Sequence, residues 1–239
     1  MKLLIGVLGT DTEIGKTVAT TALAQHYLQS GHRVHVDKPV QTGVEGDSHE
    51  PADIDTVHHH LGTPTLLSTS EGQRLAPAMA PRDASTVTGE PLKTAEEHIE
   101  RWASYTRSTD VLIAEGAGGL TVRLTEEGLT LWELIERAGN AFGIKPTLIL
   151  VTHSGLGTQN HTELALDHLA SRNQTPEALI ISNPQPDLQP QLYAANARFL
   201  HALALQHGIR SVVELPRFSG NEAPRLDLLS RERGSRAQS

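Results

Sequence analysis

The chain has 239 residues, 20 of them basic and 28 acidic for a formal charge of -8, with no cysteine, 38% hydrophobic and 3% aromatic residues. That length buries an independent core in one large domain or two small ones. The lack of cysteine excludes disulfide frameworks, cysteine-ligated zinc, iron–sulfur clusters and thiol nucleophiles, and the acidic balance and scarce aromatics argue against nucleic-acid binding on a basic or base-stacking surface.

From the N-terminus, one lysine and a short apolar run end at Gly9, too short for a secretory core. No stretch reaches the roughly 18 apolar residues that a membrane helix needs, so the expectation is a cytoplasmic protein with no membrane partner. A strand is predicted at Leu3–Leu8, a helix at Thr17–Ser30 stopped by Gly31, and a strand at Val34–Asp37. The polar, Pro- and Thr-rich stretch Val44–Pro91 reads as a long connection with one short helix near Ile54–Leu61. Then follow helix Leu92–Tyr105, strand Val111–Glu115, helix Leu129–Ala138, strand Thr147–Val151 and helix Thr158–Ser171. Strand Ala178–Ser182, helix Gln189–Gln206 stopped by Gly208, and strand Ser211–Leu215 complete the pattern. Aliphatic runs alternating with helical patterns predict an α/β fold with a mainly parallel central sheet covered on both faces. The expected domain is 1–216, with 217–239 an Arg-rich, partly disordered C-terminal extension.

The strongest chemical signal is GTDTEIGKT, made of Gly9, Thr10, Asp11, Thr12, Glu13, Ile14, Gly15, Lys16 and Thr17, between the first strand and the first helix. Glycines allow a tight turn whose backbone N–H groups face an anion, and the helix dipole adds to the attraction. Lys16 would reach terminal phosphates and Thr17 would hold Mg2+. Five residues separate the glycines instead of the usual four, so an incidental glycine turn is the alternative; the strand before and the helix after weigh against it.

VLIAEGAGGL supplies a second acidic group, Glu115, where an apolar strand stops at the edge of the sheet that binds ligands in open α/β folds. Gly116, Gly118 and Gly119 behind it permit close backbone approach. A solvated glutamate before a turn is the plainer reading. KPVQTG, starting at Lys38, puts another mobile cation at the same edge.

GTDTEIGKT, KPVQTG and EGAGGL, in this order and with this loop length, resemble the dethiobiotin synthetases. GLGTQNH at 155–161 and the Asn183–Pro184 pair extend the resemblance to about residues 3–216. It implies a three-layer P-loop NTPase-like fold and the conversion of 7,8-diaminopelargonic acid, CO2 and ATP to dethiobiotin, ADP and phosphate. It implies that Lys16 and Lys38 serve the carbamate and the transferring phosphoryl group, and that Thr12, Glu13 and Thr42 lie near the amines and carbamate. Thr17, Glu115 and one aspartate of ADIDT, Asp53 or Asp55, would hold Mg2+, the spacing to Leu61 and Gly62 favouring Asp53. Asn183 and Pro216 would lie at the base. Family members are homodimers, so Gly155, Leu156, Gly157 and Asn160 are expected to bind the substrate carboxylate of the neighbouring subunit.

Competing features carry less. His58, His59 and His60 are adjacent on a predicted helix and cannot all face one ion, so they read as a solvated face. Ser154 lacks the GxSxG setting of a hydrolase nucleophile, and Trp102 and Trp132 read as packing residues. A cobyrinic acid diamide synthase-like ligase would normally add an amidotransferase domain with a catalytic cysteine. A nucleotide switch on membrane or DNA would need a membrane helix or a basic surface.

Overall fold

The computed structural model describes residues 1–44, 51–183, 188–215 and 226. Among these, seven strands form one sheet: β1 (Leu3–Gly9), β2 (Val34–Thr42), β3 (Leu67–Leu75), β4 (Val111–Glu115), β5 (Thr147–His153), β6 (Ala178–Ser182) and β7 (Ser211–Glu214). Their order is β3-β2-β4-β1-β5-β6-β7, and every pairing is parallel. The central strand, β1, lies between β4 and β5, with Ile5 opposite Ile113 on one side and Thr147 on the other.

Alternation along the strands divides the core in two. Leu4, Leu8, Leu112 and Leu150 face α4 (Ala95–Tyr105), α5 (Leu131–Phe142), α6 (Thr158–Ala170) and α7 (Pro190–Gln206). Ile5, Val7, Ile113 and Val151 face α1 (Lys16–Gln29) and α2 (Asp53–Leu61). The molecule is thus a three-layer α/β structure. Two helices start later than predicted because their caps are local: Thr94 and Thr130 each accept the N–H of a glutamate three residues on, which reaches back to bond the cap.

The stretch 44–91 departs most from expectation. It contains, besides α2, a full strand, β3, and a third helix, α3 (Pro81–Thr88). The sequence of β3, LSTSEGQRL, has no apolar period because an edge strand pairs on one side alone and need not bury both faces. β2 is also longer than predicted, running past Asp37 to Thr42. It pairs with β4 only through Asp37, so Pro39 falls where the strand has one neighbour and its missing N–H costs no ladder bond. Gly72 of β3 is required opposite, since a Cβ there would lie 2.3 Å from the Pro39 carbonyl oxygen.

Asp37 is fully buried on the face opposite Lys38. It accepts from Arg101, from Trp102 Nε1 at 2.8 Å and from Ser70 Oγ at 2.5 Å, so Trp102 both packs and anchors β2. No described helix is long and apolar enough to cross a membrane. Of the C-terminal extension only Leu226 is described, buried in the α1-side core; Pro184 and Pro216 lie outside the described residues.

Candidate active site

The nine residues of GTDTEIGKT form the turn from β1 into α1. Gly15 has φ 91°, and a Cβ there would meet Ser182 Oγ at 2.8 Å, so glycine is demanded twice. The Ser182 hydroxyl pins the loop by donating to the Ile14 carbonyl. Glu13 also takes a left-handed conformation, φ 56°, which costs a non-glycine residue about 1–2 kcal/mol. Lys16 curls back over the loop, its Nζ donating to the Asp11 carbonyl at 2.6 Å. Burial, and then the neighbouring Lys38, lower its pKa to about 8. Bound phosphate oxygens would reverse that depression.

The floor of the site is a four-residue cluster drawn from four elements. Thr17 Oγ1 lies 2.8 Å from Asp53 Oδ1 and 2.8 Å from Glu115 Oε1. Lys38 Nζ donates to Glu115 Oε1 at 3.0 Å and to the Gly116 carbonyl at 2.9 Å, and pairs with Asp53. Burial alone would lower the Lys38 pKa, but Glu115 and Asp53 outweigh it and hold it above the ordinary lysine value. Burial likewise opposes charge on Asp53, and Lys38 with the Thr17 hydroxyl overcomes it. Glu115 is 2% exposed, which removes the reading of a solvated glutamate.

This donor set fits a hard divalent cation. One hydroxyl proton cannot serve two carboxylates at once, so the arrangement depends on a cation shared between them, a place Lys38 takes. Among the described residues no three His, Cys, Asp or Glu side chains are grouped to hold a metal. A cation here would therefore have Thr17, Asp53 and Glu115 as partners and complete its shell with water and phosphate oxygens, as Mg2+ does.

Of the two aspartates of ADIDT, the structure brings Asp53 to Thr17, while Asp55 turns back to accept the Ala52 N–H at 3.3 Å. Asp53 is held there by Gln41, whose Oε1 accepts the Asp53 N–H at 3.2 Å. Gln41 was not singled out as a site residue from sequence, although KPVQTG contains it.

Above the cluster opens a cleft of about 620 Å³, lined by Thr12, Glu13, Lys16, Lys38, Thr42 and Gly118 among others. Its far wall, Ala78 to Pro81, is apolar and comes from the turn after β3, within the long connection expected at 44–91, and long connections of this kind often serve as substrate loops. Gly118 and Gly119 flank the loop, where an added Cβ would lie 3.5 Å from Thr12 Oγ1 and 3.4 Å from the Thr10 carbonyl oxygen respectively, while Gly116 packs against Leu131 and β1.

The segment Gly155–Asn160 and Asn183 do not line this cleft. They sit at the ends of β5 and β6, and the P-loop is tied to them by hydroxyls. Thr10 donates to Thr152 at 3.2 Å, and Thr152 meets Thr158 at 2.9 Å in the first turn of α6. Leu156 is 83% exposed. The run His58–His60 is not a ligand cluster; His58 Nε2 bonds Thr69 Oγ1 at 2.7 Å and docks α2 on β3.

Solved structures share the fold. The signal recognition particle receptor FtsY of Elizabethkingia anophelis, in complex with GDP, superposes with a TM-score of 0.51 at 19% identity; the match covers 95% of this chain and 60% of that one, less than two thirds of the receptor. A ParA family ATPase of Chlorobium tepidum superposes with a TM-score of 0.52 at 11% identity, covering 91% and 84%. At sequence level, a family profile described as an AAA domain matches residues 4–225. The ATP-dependent dethiobiotin synthetase BioD of Rhodococcus erythropolis is 38% identical over 184 residues, 76% of this chain and 77% of that protein. Its namesake in Mycobacterium avium is 36% identical over 199 residues, 83% and 82% of the two chains, and that of Mycobacterium leprae 40% over 183 residues, 75% and 74%. With the ordered motifs meeting in one cleft and relatives of this similarity along most of its length, the chain belongs to the family of ATP-dependent dethiobiotin synthetases.

Proposed function

We propose that this protein carboxylates 7,8-diaminopelargonic acid with CO2 and closes the cyclic urea of dethiobiotin at the expense of ATP. The observation that carries the reading is the Thr17–Asp53–Glu115–Lys38 cluster at the foot of a P-loop cleft. One substrate amine captures CO2 as a carbamate and loses a proton. A carbamate oxygen then attacks the γ-phosphorus while the bond to the β-phosphate oxygen breaks, giving ADP and a carbamic-phosphoric anhydride. The second amine attacks the carbonyl carbon, phosphate leaves and the ring closes.

Most of the demand on the protein is positioning and charge compensation. The P-loop N–H groups and Lys16 would hold the β- and γ-phosphates. Lys38, 3% exposed and kept cationic by its two carboxylates, would screen carbamate against phosphoryl. Thr12, Glu13 and Thr42 would orient the amines and the carbamate; an acidic Glu13 in a phosphate loop has a purpose beside a diamine. Thr17, Asp53 and Glu115 would hold Mg2+, which supplies electrostatic stabilisation of the phosphate oxygens when bound. Asn183 and Pro216 would contact the base. In a homodimer, Gly155, Leu156, Gly157 and Asn160 would receive the substrate carboxylate of the neighbouring subunit; the exposure of Leu156 supports this. The working location is cytoplasmic.

The deciding assay incubates the protein with diaminopelargonic acid, bicarbonate and MgATP and analyses products by mass spectrometry. The expected product has gained one carbonyl and lost two hydrogens relative to the diamine. ATP hydrolysis indifferent to the diamine would overturn the proposal.

A further inference from the structure

Outside the cleft, a buried polar network joins β5, α6, α7 and the end of β6, and the function proposed above gives no part to its Ser154 and Asn196. Asn196 of α7 is 4% exposed with its amide fully engaged. Its Nδ2 donates to the carbonyl oxygens of Ser154 at 2.8 Å and Gly155 at 2.9 Å, and its Oδ1 accepts from Gln159 Nε2 at 2.8 Å. Ser154, with its carbonyl fixed in this way, is 1% exposed and donates its hydroxyl to Asn183 Oδ1 at 3.1 Å. Asn183 itself is only partly buried, directly after Ser182, whose hydroxyl pins the P-loop.

An asparagine amide presents an acceptor at one end and donors at the other, and its last torsion is soft. The bond from Ser154 removes that freedom by holding Oδ1 in one place. Oδ1 keeps a second lone pair, and Nδ2 keeps its donors. Adenine offers a donor, N6, beside an acceptor, N7; guanine offers two acceptors there, O6 and N7. An amide with its acceptor and donor fixed side by side matches the first edge and leaves one group of the second unpaired.

We propose that Ser154, braced by Asn196, is a positioning residue for nucleotide selection, fixing the Asn183 amide in the orientation that favours adenine over guanine. The inference rests on the reading of Asn183 as the base contact, and its test separates the two. The kcat/KM values for ATP and GTP are measured at saturating diamine and bicarbonate for the parent, Ser154→Ala, Asn183→Ala and the double variant. Asn183→Ala is expected to lower the ATP-to-GTP ratio. Ser154→Ala is expected to lower it about fivefold, the weight of one neutral hydrogen bond, mainly through KM for ATP, and the double variant to match Asn183→Ala alone. Ser154→Cys, close in size and a weaker donor, is expected to fall between, and stands in if the alanine variant does not fold. A ratio unchanged in both Ser154 variants while Asn183→Ala lowers it would overturn the inference and leave the base contact standing. Additive losses in the double variant would also overturn it, since Ser154 would then act by another route. An unchanged ratio in Asn183→Ala would overturn the base contact and the inference together.

Discussion

Replacing Lys38 by methionine keeps the apolar stem and removes the charge that Asp53 and Glu115 share. The Lys38 side chain is 4% exposed and that of Glu115 3%, whereas Asp53 is 29% exposed. Removing one partner from a buried ion pair costs about 3–5 kcal/mol, because the other charge is left uncompensated. Asp53 can regain some water, so the lower end applies here, about 3 kcal/mol. For a chain of this size each kcal/mol moves Tm by roughly 2–4 °C, so thermal unfolding should shift down by roughly 6–12 °C. Millimolar Mg2+ should recover more of that loss in the variant than in the parent, because a divalent cation can take the ammonium's place between the carboxylates. Dethiobiotin formation should fall by at least about a hundredfold, the usual effect of deleting one electrostatic stabiliser. ATP affinity by titration calorimetry should change far less, since the loop N–H groups and Lys16 remain. A variant with Tm within about 2 °C of the parent and turnover within about tenfold would refute both the pairing and the catalytic role.

Gly15→Ala forces a side chain into φ 91° and within 2.8 Å of Ser182 Oγ, so the loop must shift and ATP affinity should fall at least about tenfold by calorimetry; unchanged affinity would detach this loop from nucleotide binding. Leu156→Glu places a charge at an 83% exposed site; under the proposed homodimer, size-exclusion chromatography with light scattering should show a dimeric parent, a variant shifted to monomers and product formation lost together, while the circular dichroism spectrum is retained. His35 and His98 are held neutral by burial, each with a pKa lowered from 6.5 to about 4. Their folded values lie below the unfolded one, so their stabilisation is complete above about pH 6.5 and is lost as the pH falls toward 4. Urea unfolding at about pH 7.5 and about pH 5 should differ by about 2 kcal/mol per histidine, and His35→Gln should remove roughly half of that difference.

His35 bonds Ser68 and Ser70 of β3, the strand least legible in the sequence. Local patterns sufficed for β1, β4, β5 and β6, whose apolar runs are buried on both faces, and for the P-loop, whose glycine spacing is a backbone requirement within nine residues. They failed for β3, because an edge strand lined by Ser, Glu, Gln and Arg carries no periodic apolar signal. The cleft wall at Ala78–Pro81 was lost with it, since its place depends on where β3 ends. α3 was missed too; its start and stop are Pro81 and Gly89, residues that read equally well as loop.

At the site the division is similar. Lys16, Thr17 and Glu115 were identifiable because each lies at the carboxyl end of a strand or the start of a helix within a short motif, and Lys38 because it opens KPVQTG, although β2 runs on past it to Thr42. That Lys38 bonds Glu115, and that Thr17 touches two carboxylates, follows from the pairing of β2 with β4 and the docking of α2, which bring residues 77 and 98 positions apart into contact. Sequence by itself determined the chemistry on offer, a phosphate loop, two lysines and hard oxygen donors, because those depend on residue type and spacing within a few positions. Only the tertiary structure decided that Asp53 and not Asp55 faces Thr17, that Gln41 holds it there, and that Asn183 is gripped by Ser154. Side-chain direction on a helix turns by about 100° per residue, so which carboxylate enters the site is settled by how the helix packs.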